Sequence, residues 1–150
     1  PPPSKRGDVF RQAAVKALDT LSRNPNGFFL MIEGSNIDKA AHSNNLEEMM
    51  EELLDFDRTA GAVLDWASKH PGTLVVITAD HNTGAFALTG GSREQGEITG
   101  RFGSGSHDGV AVPVYAFGAG SGDFTGIYEN TDIFNKIMNA LKKGADKPVR

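Results

Sequence analysis

No cysteine occurs in the 150 residues, which excludes disulfides and thiolate metal sites and leaves nitrogen and oxygen as the strong ligand atoms. No apolar run approaches the ~18 residues of a membrane span, and the opening Pro1-Pro2-Pro3-Ser4-Lys5-Arg6-Gly7 has no apolar signal core. Cationic residues are scarce too. Fifteen Lys and Arg against nineteen Asp and Glu give a net charge of -4, so the dense basic patches that hold a nucleic-acid backbone are missing. What remains, 39% hydrophobic and 23% charged, is the composition of one ordinary domain with a core to bury.

Residues 1–7 read as an extended leader or the end of a linker, because a proline triplet favours a stiff open chain; a start without Met is expected of a cut or processed chain. From Asp8, the apolar positions Val9, Phe10, Ala13, Ala14, Ala17, Leu18 and Leu21 recur at helical spacing, and Asn24-Pro25-Asn26-Gly27 stops them. Asn44 followed by Glu47 predicts a capped start to a long helix, whose stripe runs Leu46, Met49, Leu53, Phe56, Ala60, Val63, Leu64, Ala67. Glu47, Glu48, Glu51, Glu52 and Asp55 are expected mostly on its solvated side. Ser68-Lys69-His70-Pro71-Gly72 ends it. Short strands follow, and Asn130-Thr131-Asp132 caps a closing helix that buries Ile133, Ile137, Met138 and Leu141, with a fraying tail from Lys142. Strands alternating with helices predict an α/β fold, a three-layer sandwich with a mainly parallel sheet covered by helices on both faces.

Three clusters carry the chemistry. Phe28-Phe29-Leu30-Met31-Ile32 stops at Glu33, as a buried strand would when it delivers an acid to a sheet edge. Asp38 and His42 stand four residues apart, so on a helix they share one face and can grip one ion; a polar loop with a capping Asp would use the same residues. Thr73 to Ala79 is a β-branched run that ends at Asp80-His81, and both side chains reach one region only if the backbone leaves the strand there. Gly103-Ser104-Gly105-Ser106-His107 is a flexible loop that places a third histidine before the apolar run from Val110 to Phe117. His70 reads as a helix-end residue, and the glycine patterns near Gly103 and Gly118 lack the strand and helix of a dinucleotide site.

In order, E-G-S-N-I-D-x-x-x-H, T-A-D-H-x-T-G and S-H-x-G-V-x-V-P-V-Y-A-F-G resemble the C-terminal half of an alkaline phosphatase, from Gly27 to Leu141. The resemblance implies that residues 8–150 are part of that enzyme's domain. It also implies that Asp38, His42 and His107 are ligands of one zinc, Asp80 and His81 ligands of a second, and Glu33 a magnesium ligand. The family usually has Thr where this chain has Asp108, so an added carboxylate stands beside His107.

Two ions ~3.5 to 4 Å apart can clamp the attacking and leaving oxygens of phosphoryl transfer. In the family the nucleophile is a Ser in an Asp-Ser pair, backed by an Arg, in the N-terminal half; no Asp-Ser pair occurs here. The resemblance therefore implies hydrolysis of small phosphate monoesters by a longer parent, this chain partnering the N-terminal half and near-inactive alone. A homodimer and a periplasmic or extracellular location belong to the same expectation. Related phosphotransferases, phosphodiesterases and sulfatases use similar clusters and would differ upstream. A non-catalytic, metal-stabilised interaction or dimerisation module would tolerate substitution of Asp80.

Overall fold

The computed structural model describes residues 1–145. Helices α1 (Pro3–Arg6), α2 (Val9–Leu21), α3 (Asn36–His42) and α4 (Leu46–Ser68) come first. Strands β1 (Leu74–Thr78), β2 (Asn82–Thr83), β3 (Ala87–Ser92), β4 (Glu97–Arg101), β5 (His107–Asp108) and β6 (Val114–Gly118) follow, then a 3-10 turn at Ser121–Phe124 and helix α5 (Asp132–Ala145).

Among the described residues the strands form three two-stranded antiparallel sheets, β1 with β6, β2 with β5 and β3 with β4. The expected parallel sheet is absent from them. A parallel pair needs a crossover, usually a helix, whereas the chain leaving β1 carries no helix before β6. It doubles back instead as three nested tiers, with Thr78 opposite Val114 in the outer pair and Thr83 opposite His107 in the middle one. That nesting brings a residue just after β1 to a residue well before β6.

Phe28 to Glu33 was expected to be a strand and has no ladder partner among the described residues. Its burial still alternates: Phe28, Leu30 and Ile32 are half-buried while Phe29, Met31 and Glu33 face out. The inner side packs on Leu18, Trp66 and Ala67, together with Val63 and Val75. Trp66 meets Phe28 edge-on and donates its indole N–H to Asp19 at 2.9 Å. A second cluster, Ala40, Ala41 and Met49 with Ile37, Leu46, Phe86 and Phe102, lies under α3. Small alanines on that side let α3 sit close to α4 and to the strands that carry the third histidine.

Four expectations are corrected. Pro3–Arg6 is a helical turn rather than an extended leader, because Arg6 reaches across to Glu52 and Asp55 at 2.6 and 2.7 Å. Those two acids are buried on α4 instead of solvated, while Leu53 and Leu54 are exposed; the guanidinium supplies the charge that lets carboxylates turn inward. The cap of α4 is Asn45, which accepts the Glu48 N–H at 3.1 Å, while Asn44 takes a left-handed conformation. Finally, α5 continues to Ala145 and leaves Phe134, Met138 and Leu141 exposed, since no described element covers them; the rest of the expected tail, 146–150, lies outside the described residues.

Candidate metal centre

Helix α3 is short and is held from below by Ala40 and Ala41, so Asp38 and His42 are fixed on its outer face one turn apart. Gly34 makes the approach to that helix possible: a Cβ there would lie 2.7 Å from the Phe56 ring on α4. The middle sheet supplies the opposite wall. Thr83 and His107 are cross-strand partners on its near side, and Gly84, with φ +81°, turns the chain immediately after.

Asp38, His42 and His107 could together hold a cation, with one ligand atom from each lying within 4.8 Å of the others. Asp38 Oδ1 is 3.5 Å from His42 Nε2 and 3.4 Å from His107 Nε2, and the two Nε2 atoms are 3.0 Å apart. The tautomer of His42 follows from its other nitrogen. Nδ1 lies 2.8 Å from the Gly105 carbonyl, which can only accept, so Nδ1 carries the proton. Neutral His42 therefore turns a bare Nε2 lone pair towards the Asp38 carboxylate and the second imidazole. Lone pairs converging at such distances need a proton or a cation between them.

Thr83 extends the centre. Its hydroxyl is buried and donates to Asp38 Oδ1 at 2.6 Å. With that hydrogen committed, its oxygen accepts from His81 Nδ1 at 3.2 Å. His81 in its neutral form thus also directs Nε2 outward, 3.2 Å from Asp80 Oδ2. The chain bends at Asp80 as it leaves β1, and the exposed Asp80 side chain folds back onto His81. His81 stacks on His107 with ring centroids 3.5 Å apart. The Thr83 hydroxyl, followed by the fields of His42, His107 and His81, holds the Asp38 carboxyl below the usual carboxylate range.

Of the six residues singled out in the sequence, Asp38, His42 and His107 form one group and His81 stacks on His107 beside it, while Asp80 meets only its neighbour His81 and is 85% exposed. Glu33 is exposed and lies outside the three-residue group. Asp108 neither points to solvent nor joins the cluster; it binds Asn82, Ala85 and Val110 on the far side of the bridge. Thr83 and the Gly105 carbonyl were missed as contributors. Thr83 could have been found, because two residues past His81 on a strand is the same face; the carbonyl has no signature in a side-chain sequence.

Among the described residues this is a cluster that could take a cation through nitrogen and oxygen donors alone. The alkaline phosphatase family model matches residues 6–101. The chain belongs to the alkaline phosphatase family. It is 29% identical to alkaline phosphatase 4 of Bacillus subtilis, across 89% of this chain and 44% of that protein. With the alkaline phosphatase of Escherichia coli it shares 31% identity across 94% of this chain and 34% of the relative. The solved alkaline phosphatase of the Antarctic bacterium TAB5 superimposes with a TM-score of 0.87 at 39% identity, over 95% of this chain and 43% of that one; a variant of the TAB5 enzyme was solved with Mg bound. The chain spans less than half the length of these relatives.

Proposed function

We propose that this chain supplies part of the two-zinc, one-magnesium centre of an alkaline phosphatase that hydrolyses small phosphate monoesters. Asp38, His42 and His107 would hold one zinc, Asp80 and His81 part of the second, and Glu33 the magnesium. The observation that carries the reading is the convergence of Asp38 Oδ1, His42 Nε2 and His107 Nε2, with the His42 tautomer set by Gly105. Imidazole and carboxylate without thiolate suit zinc, and a lone carboxylate suits magnesium with its retained waters. When bound, such ions would neutralise charge on the attacking and leaving oxygens of an in-line displacement.

The chain's own part is to orient and to hold protons in place. Gly105 and Thr83 keep hydrogen on Nδ1 of His42 and His81, so the opposite nitrogens stay free for a ligand role. Thr83 keeps Asp38 ionised and aimed at the same point. A nucleophile in an Asp-Ser context and further ligands would come from the N-terminal half of the parent, so the chain alone would turn over little or no substrate: groups that act in concert fail together. The exposed pleat of Phe29 and Met31 supports that partnership. A periplasmic or extracellular parent, with a homodimer as its assembly, fits the family; no helix among the described residues is long and apolar enough to cross a membrane.

Equilibrium dialysis of the full chain against zinc at neutral pH tests the centre. Binding that is lost in His42→Ala and His107→Ala is expected, and no zinc uptake by the unsubstituted chain would overturn it. In the longer parent Asp80→Asn should abolish turnover; an unaffected rate would favour a non-catalytic module.

A further inference from the structure

We propose that Asp108 is a positioning residue: a carboxylate behind the β2–β5 bridge that fixes the register by which His107 meets Asp38 and His81. The proposal rests on the metal reading above for its consequence and on geometry for its content.

The bridge itself is weak. Its ladder pairs Asn82 with Asp108 and Thr83 with His107, and backbone bonds at Gly84, to Ser106 and from Gly103 and Ser104, continue it by one residue; so short a pairing holds little register unaided. Neighbouring residues on a strand point to opposite faces. Thr83 and His107 therefore occupy the face towards Asp38, while Asn82 and Asp108 occupy the reverse. A slip of one position would turn His107 away and bring Asp108 forward.

On that reverse face the Asp108 carboxylate collects three separate parts of the chain. The Asn82 side-chain amide donates to Oδ1 and Oδ2 at 3.1 and 2.9 Å. The Ala85 N–H donates to Oδ2 at 3.1 Å, and the Val110 N–H to Oδ1 at 3.1 Å. Four contacts use about the full lone-pair capacity of a carboxylate, which leaves Asp108 nothing to offer a cation. They also explain how Ala85 is held at φ 45°, a conformation that a residue with a Cβ seldom adopts. Asp108 thus ties β2, the turn after it and the exit of β5 into one unit. Since His81 enters β2 and stacks on His107 at the head of β5, both imidazoles take their places from this unit.

The test compares the full chain with Asp108→Ala and Asp108→Asn, using Co²⁺ alone as the metal probe and ring-proton NOEs between His81 and His107 in the metal-free protein. Asp108→Ala should weaken cobalt binding by about 10- to 100-fold, the range for groups that orient ligands, and should lose the NOE while far-UV circular dichroism is kept. Asp108→Asn, which retains one acceptor oxygen, should lie between, and it decides the question if the alanine variant does not fold. A lower thermal midpoint with unchanged cobalt affinity and an intact NOE would overturn the positioning role, since a merely structural anchor behaves that way. If the unsubstituted chain takes up no cobalt, the metal reading falls by itself, and the NOE comparison still decides on Asp108.

Discussion

The Thr83 hydroxyl donates to Oδ1 of Asp38 at 2.6 Å, and this is the same oxygen that faces both His42 and His107. One buried hydroxyl therefore aims the carboxylate and, by accepting from His81 Nδ1, selects that ring's tautomer. Thr83→Val keeps the shape and removes both bonds. Expected is a roughly tenfold or greater loss of zinc affinity, together with ~2 kcal/mol of stability from the lost bond to a charged group. Calorimetric zinc titration and urea unfolding check the two effects separately; serine in place of valine should restore most of both.

Arg6 with Glu52 and Asp55 is the second polar element of the fold. The guanidinium forms a fork on Glu52 at 2.8 and 2.6 Å and reaches Asp55 at 2.7 Å, and Asn36 at the start of α3 also donates to Glu52 at 3.3 Å. Arg6→Met should destabilise the chain by about 3 kcal/mol, because two buried carboxylates lose their partner. Arg6→Met combined with Glu52→Gln and Asp55→Asn should lose clearly less. Chemical denaturation of the single and triple variants measures the difference; equal losses would mean that the charges are not what matters.

The same group sets a pH dependence with a definite sign. The Arg6 hydrogen bond, against some desolvation, holds the Glu52 carboxyl below its usual range, and the field of Arg6 and the Asn36 amide add to this. A depressed carboxyl favours the folded state above the unfolded value of about 4.3, and the benefit drains away as pH falls from there through the lower folded value. Unfolding free energy should therefore be flat in this respect near neutrality and drop below about pH 4. In Arg6→Met that portion of the acid-side slope should shrink. Urea melts at successive pH values give the slope directly.

How much of this could be read beforehand varies with the range of the interaction. Asp38 and His42 were legible because one helical turn relates them, and His107 because a resemblance spanned the gap that periodicity cannot. The burial of Glu52 and Asp55 was not legible: a run of acids normally faces water, and only the distant Arg6, brought over by a helical turn where prolines suggested an open chain, reverses it. The nested antiparallel tiers were missed for a similar reason. Alternating strands and helices argue for parallel crossovers, but β1 to β6 contains hairpins alone, and short pairs such as Asn82 with Asp108 have too few residues to announce themselves. Phe28 to Glu33 has the composition and alternation of a strand, yet strand hydrogen bonds depend on a neighbour, and none of the described residues provides one.

That unpartnered pleat leads to the last expectation. Phe29 and Met31 are 62% and 78% exposed, on the side of the segment opposite the Phe28 and Leu30 packing, so water meets two large apolar groups in a row that has no ladder partner among the described residues. Such a segment is prone to associate with another strand. Phe29→Lys with Met31→Lys should leave the unfolding free energy of the isolated chain within about 0.5 kcal/mol, since neither side chain is buried in it, while suppressing concentration-dependent light scattering. In the longer parent proposed above the same pair should be severely damaging, because on that proposal two charges would enter a surface covered by the N-terminal half. Equal tolerance of the pair in the chain and in the parent would show that this face stays open to water in the complete enzyme, and the proposed partnership across it would have to be abandoned.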